Sequence, residues 1–239
     1  MIKFRRDLAR AYYRLMKPGI VYGNALMYAA GFFFASAEGI NWRLFIWGLF
    51  GLCFVIAGAC VFNNIADREM DSKMERTKKR AIPSGTITPG SAEAVGYALS
   101  IAGFVILYFF TTFTAFFAAL VGFAVYVFVY TPLKPRTRYA LFVGAIAGAM
   151  PPVVGYTAVT DTFDGWSTLL FVLLFLWQLP HFIAIAVYRF EDYSLAGVPL
   201  FARAPKDDRE RKLAKLVFAA SLVLLLVGCL GVAFWRIFF

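Results

Sequence analysis

The sequence predicts an all-α polytopic membrane protein with about seven transmembrane helices. Three observations carry that reading. Of the 239 residues, 61% are hydrophobic and 18% aromatic, with a mean hydropathy of +0.71, well above the balance of a soluble domain. Seven apolar runs are long enough to span a bilayer: roughly 19–36, 42–62, 92–110, 112–130, 139–159, 166–187 and 214–235. The basic residues are also one-sided. Of 24 Lys and Arg, all but Arg43 and Arg236 fall in the N-terminal tail, in the links after spans two, four and six, or at the start of span seven. That bias puts the N-terminus in the cytoplasm and the C-terminus outside. The net charge of +10 is therefore a topology signal, and no nucleic-acid partner is expected.

Spans this tightly spaced imply one membrane domain over 1–239, with cytoplasmic-side loops at 63–90, 131–138 and 188–213. The first 17 residues carry Lys3, Arg5, Arg6, Arg10, Arg14 and Lys17 and show no small-residue cleavage site. They read as a cytoplasmic tail along the anionic leaflet. Pro18 opens span one, where a missing N–H costs nothing. Asn24, within that span, makes either an interhelical hydrogen bond or part of a polar cavity.

Span two runs into the segment at 63–85, NNIADREMDSKMERTKKRAIPSG. Asn63, Asp67 and Asp71 are spaced i, i+4 and i+8. In a continuing helix each step climbs about 6 Å and turns only about 40°, so the three line one face. Two carboxylates and an amide are hard oxygen ligands of the kind Mg²⁺ takes while it also holds phosphate. Lys73, Arg76, Lys78, Lys79 and Arg80 follow, donors suited to a diphosphate. Together they point to chemistry on a lipid diphosphate at a membrane face.

Thr88 and Pro89 read as the N-cap and first residue of span three. Spans three and four are Phe-rich, which fits packing and lipid contact. In the loop YTPLKPRTR two prolines hold Lys134 and Arg136 stiffly at the membrane face of Asp67, while positive-inside anchoring accounts for Arg138. Span five carries Gly144, Gly148, Pro151, Pro152 and Gly155. The small residues invite close helix approach, and the proline pair breaks the hydrogen-bond ladder beside a cavity. Span six places Gln178 and His181 around Pro180, then Arg189, Glu191, Asp192 and Tyr193 at its end. His181, the only histidine, is either satisfied by carbonyls that Pro180 frees or is a functional group. Arg189 and Asp192 form a surface ion pair or belong to the acidic site. Residues 202–213 read as a helical, solvated connector. Cys53, Cys60 and Cys229 lie in apolar runs, with neither metal spacing nor a disulfide framework.

The 63–85 segment resembles the first aspartate-rich motif of the UbiA-type intramembrane prenyltransferases. DREMDSKMERTKKR, YTPLKPRT, GAIAGAMPPVVGYTAVT and WQLPHFIAIAVYRFEDYSLAGVPL narrow the resemblance to the heme-directed branch, the protoheme IX farnesyltransferases, in order over 17–200. The resemblance implies a UbiA-like helical bundle that binds farnesyl diphosphate through Mg²⁺ and takes heme b as acceptor. It implies Asn63, Asp67 and Asp71 as the metal and catalytic end, with Lys134, and Asp192 and Tyr193 from the second motif. Arg76, Arg80, Arg136 and Arg189 would hold the diphosphate, and Asn24, Gln178 and His181 would face substrate. The second motif, DxxxD in quinone-directed relatives, stands here as Arg189-Phe190-Glu191-Asp192-Tyr193. The branch usually has nine spans, and this chain passes from Leu200 straight to what resembles the last basic segment and helix, two spans short. The resemblance further implies a bacterial inner membrane, with heme A synthase or a terminal oxidase as assembly partners. Other readings are the same fold with a quinone-precursor acceptor, and a non-catalytic channel or transporter. Acids gathered at one face beside Arg and Lys, rather than at mid-membrane, favour the enzyme.

Overall fold

Apolar runs of this length leave the backbone no partner in lipid but itself, so the chain folds as helices. The computed structural model describes residues 2–238, with side chains described over 6–235; Lys3, Arg5 and Arg236 lie outside the described side chains. The helices are α1 (Ile2–Leu15), α2 (Pro18–Ala35), α3 (Trp42–Ala66), α4 (Arg68–Lys73), α5 (Pro89–Phe110), α6 (Phe113–Ala124), α7 (Thr131–Leu133), α8 (Ala140–Gly148), α9 (Met150–Thr160), α10 (Gly165–Tyr188), α11 (Phe190–Leu195) and α12 (Asp208–Phe238). A π-helical turn, Val125–Tyr130, joins α6 to α7.

Caps fix where the helices start. The Asn41 side chain accepts from Leu44 N–H, Thr88 from Ser91 N–H and Thr112 from Ala115 N–H, each filling a donor the first turn leaves free. Asp164 and Ser167 form a reciprocal capping box on α10. Pro180 lies inside α10 without ending it.

Among the described residues, six helical stretches are long and apolar enough to cross a membrane: Trp42–Ala66, Pro89–Phe110, Phe113–Leu133, Ala140–Thr160, Gly165–Tyr188 and Asp208–Trp235. The first expected span, α2, is shorter at 18 residues and carries Asn24 and two tyrosines. It still lies inside the bundle, with Tyr28 and Phe32 fully buried, and makes the seventh helix. The order of packing is α5 on α3, α3 on α2, α2 on α9 and α9 on α6. α12 touches both α10 and α2 and so fills the place between them. The main core gathers Tyr28, Phe32, Leu52, Val55, Leu107 and Val154. Outward-facing apolar side chains such as Phe109 and Phe128 suit a lipid environment.

Two expectations change in detail. The proline pair of span five does separate α8 from α9 at Ala149, and neither cavity described for the chain is lined by it. Pro151 and Pro152 are buried, and α2 covers the break at Gly31, where an added Cβ would meet the Pro152 carbonyl at 2.0 Å. Ala149 N–H donates to the Ala145 and Ile146 carbonyls, which re-satisfies the ladder locally. In the charged connector, helix begins only at Asp208; Pro205 interrupts what precedes it.

Backbone approach between α2 and α9 also requires Gly155, whose added Cβ would lie 2.1 Å from the Tyr28 carbonyl. Gly155→Ala is expected to cost about 1–3 kcal/mol through overpacking, read as a lowered Tm in detergent. Gly165→Ala, with open space at its Cβ, should leave Tm nearly unchanged.

Candidate active site

The acidic segment is a helix end rather than an unbroken helix. α3 stops at Ala66, and Asp67 joins it to α4. Helical hydrogen bonds still bridge the joint, Asp67 N–H to the Asn63 carbonyl (2.9 Å) and Asp71 N–H to the Asp67 carbonyl (2.7 Å). Asn63, Asp67 and Asp71 are each only 2% exposed. Buried carboxylates at a membrane face need partners, and each has its own. Lys134 Nζ donates to Asp67 Oδ2 at 2.6 Å, and Arg80 Nη1 to Asp71 Oδ2 at 2.7 Å. Lys17 Nζ donates to Asn63 Oδ1 at 2.5 Å, and Asn63 Nδ2 donates to Thr131 Oγ1 at 3.1 Å. Burial pushes the Lys17 amine down to about 8. Burial works the same way on Lys134, but Tyr130 and Asp67, with Tyr193, outweigh it and hold that amine above the ordinary lysine range.

Three distant stretches therefore meet at the end of α3: the tail, the loop after α7 and the chain's own basic segment. α1 docks there through Leu15, packed with Val61, Ile82 and Ile87. The neighbouring Asn64 stands differently from Asn63. Its Nδ2 donates to the Leu15 carbonyl at 2.6 Å. A carbonyl can only accept, so this bond fixes which end of the amide is oxygen. Oδ1 then faces away with no hydrogen-bond partner, on a side chain only 5% exposed. Asn64 and Asp71 line one cavity of about 470 Å³, together with Arg10, Arg14, Arg76 and Arg80.

Arg76 also reaches across to Asp192 (3.6 Å), which Arg189 approaches from its own helix end (3.7 Å). The span-six motif thus joins the acidic segment. Tyr193 lies near enough to Lys134 to help hold its amine up. Other sequence candidates stand elsewhere. Asn24 Nδ2 donates to the Ile20 carbonyl of its own helix (2.7 Å) and makes no interhelical bond among those described. Gln178 Nε2 donates to the Ala145 carbonyl (3.2 Å), tying α10 to α8. His181 Nδ1 pairs with Ser221 Oγ on α12 (2.7 Å), beside Trp177 and Phe218, so Ser221 satisfies it rather than the carbonyls near Pro180. Arg136 is exposed and lines neither cavity described for this end of the bundle.

Sequence reasoning missed Lys17, Asn64, Arg10, Arg14 and Thr131. Only Asn64, seven residues before Asp71 and so two helical turns away, left a readable signal.

Among the described residues no three His, Cys, Asp or Glu side chains converge as a closed metal cage. Mg²⁺ does not need one, since it takes one or two carboxylates with water and phosphate oxygens. Asp71, which lines the cavity beside Arg76 and Arg80, fits that kind of site.

The sequence model of the UbiA prenyltransferase family matches residues 24–239. The chain belongs to the UbiA prenyltransferase family. Among relatives, the protoheme IX farnesyltransferase of Klebsiella pneumoniae subsp. pneumoniae is 43% identical over 192 residues, 80% of this chain and 65% of that protein. The protoheme IX farnesyltransferase of Acinetobacter baylyi is 40% identical over 233 residues, 97% of this chain and 80% of its own. The chain thus spans about 65% of the length of the first of these relatives. In fold it is similar to a UbiA homolog from Archaeoglobus fulgidus bound to GPP and Mg²⁺ (TM-score 0.65, 18% identity, covering 95% of this chain and 84% of that one). It is similar in the same way to digeranylgeranylglyceryl phosphate synthase (TM-score 0.68, 17% identity, 97% and 87% covered).

For this UbiA family member, removing Lys134 would leave Asp67 buried and unpaired. Lys134→Met is expected to cost about 3 kcal/mol or more, measured by unfolding in detergent. The double variant Lys134→Met/Asp67→Asn should recover most of that loss. A single variant as stable as wild type would show that the pair is not structurally coupled.

Proposed function

We propose that the chain is a Mg²⁺-dependent prenyltransferase that moves a farnesyl group from farnesyl diphosphate to a vinyl group of heme b. The observation that carries it is the buried, mutually compensated cluster of Asp67, Asp71, Lys134 and Arg80. The protoheme IX farnesyltransferase relatives support the acceptor. The Archaeoglobus neighbour bound to GPP and Mg²⁺ supports the metal.

Each carboxylate now has a cation of its own. An incoming diphosphate lets Arg80 and Lys134 exchange carboxylate oxygens for phosphate oxygens, which frees Asp71 and Asp67 without leaving any charge unpaired. Asn63, Asp67 and Asp71 would hold Mg²⁺, which when bound supplies positive charge to the leaving diphosphate. Asn63, bound to Lys17 and Thr131, keeps the tail and the π turn in place around them. Arg76, Arg80 and Lys134, already fixed by their partners, stabilise the negative charge that grows on diphosphate as the allylic C–O bond breaks. The vinyl π electrons form the new C–C bond. Water then captures the resulting cation and loses a proton, for which Asp192 or Tyr193 is the acceptor at hand. The buried surroundings of Asn63 and Asp67 keep other water from the allylic carbon. The same reading places the N-terminus in the cytoplasm of a bacterial inner membrane.

The test is purified protein in detergent with farnesyl diphosphate, heme b and Mg²⁺, followed by mass spectrometry. The expected product is heme heavier by farnesyl plus water, absent when EDTA replaces Mg²⁺. Asp71→Ala should lower turnover about a hundredfold or more while the protein remains folded. Near wild-type turnover in that variant would overturn the site assignment.

A further inference from the structure

The first cavity, around Asn64 and Asp71, accounts for the diphosphate. A second, of about 380 Å³, lies on the far side of the Arg76–Asp192 pair, where α12 packs on the end of α10. Four cations and two carboxylates line it: Arg189, Arg211, Lys212, Lys215, Glu191 and Asp192. The carboxylates are already engaged. Glu191 accepts from Arg211, and Asp192 lies between Arg189 and Arg76. Arg189 is further fixed over the Tyr188 ring at 4.9 Å. That leaves Lys212 and Lys215, spaced i and i+3 and so on one face of α12, with no hydrogen-bond or ion-pair partner described for either ammonium. Two free cations beside a fixed arginine suit a ligand with two carboxylates on one edge.

The geometry points to this cavity as the site that anchors the two propionates of the acceptor porphyrin, with Lys212 and Lys215 as their direct partners. This rests on the acceptor proposed above. It assigns the two anionic ends of the two substrates to two basic cavities that share the Arg76–Asp192 pair as their common wall. Porphyrin bound there lies at the same membrane face as the diphosphate, and the propionates hold its orientation. Phosphate headgroups of anionic lipid have similar chemistry, so the test must separate the two.

The full chain in neutral detergent is titrated with iron protoporphyrin IX and with its dimethyl ester, which lacks the carboxylate charge, and followed by the Soret band. Wild type should bind the diacid about tenfold tighter than the ester, as expected for charge-assisted contacts. Lys212→Gln/Lys215→Gln should remove that preference. Arg209→Gln, which removes one charge on the same helix outside the cavity, should keep it. Equal binding of diacid and ester, or a preference that survives the double substitution, would overturn the proposal and leave the acceptor reading intact. If neither porphyrin bound, both readings would fall. Loss of the preference on adding phosphatidylglycerol at low mole fraction would give the cavity to lipid phosphate and overturn the proposal too.

Discussion

The constraint on which the site depends is electrostatic: acids buried at the end of an apolar helix must be paired. Asp67 and Asp71 sit where α3 leaves the bundle core, and each is almost without solvent. A single charge there is costly, whereas a neutral, hydrogen-bonded pair is tolerable. Meeting that need pulls Lys134 in from the loop after α7 and folds the chain back from α4 to bring Arg80 onto Asp71. Lys17 arrives from the tail on Asn63, and α1 is seated by the apolar contacts of Leu15. A diphosphate would find these cations already oriented.

The same logic explains how much could be read in advance. The Asn63–Asp67–Asp71 run was legible because it is local: helical spacing alone places those side chains near one another. The Thr88–Pro89 start and the break at Pro151–Pro152 were legible because caps and prolines act within a turn. Lys17 and Asn64 were not. The contact of Lys17 spans 46 residues and that of Asn64 with Leu15 spans 49, and no local pattern encodes such a meeting. Asn63 is bound by Lys17 and Thr131, contacts that likewise lie outside its own helix. His181 was ambiguous for the same reason, since Ser221 lies forty residues further on.

α12 shapes the bundle at its seam. That helix lies on α10 and α2 together and joins them. One consequence is local and chemical. The basic first turns of α12 come to rest against the acidic α11 that follows α10, Arg211 on Glu191, and the second cavity is made of both.

The π turn at Val125–Tyr130 has a consequence of another kind. A π turn holds one residue more than the α-helical turn it replaces, so it acts as a phase shifter in an otherwise regular rod. Every side chain after it is rotated by about 100° from where an uninterrupted helix would carry it. Thr131 and Lys134 come directly after, and both touch the acidic segment. Deleting one residue from this turn would keep the span and its hydrophobicity, yet aim Lys134 away from Asp67. In this chain the reading frame of one helix, more than its composition, decides whether the loop cation reaches the acid.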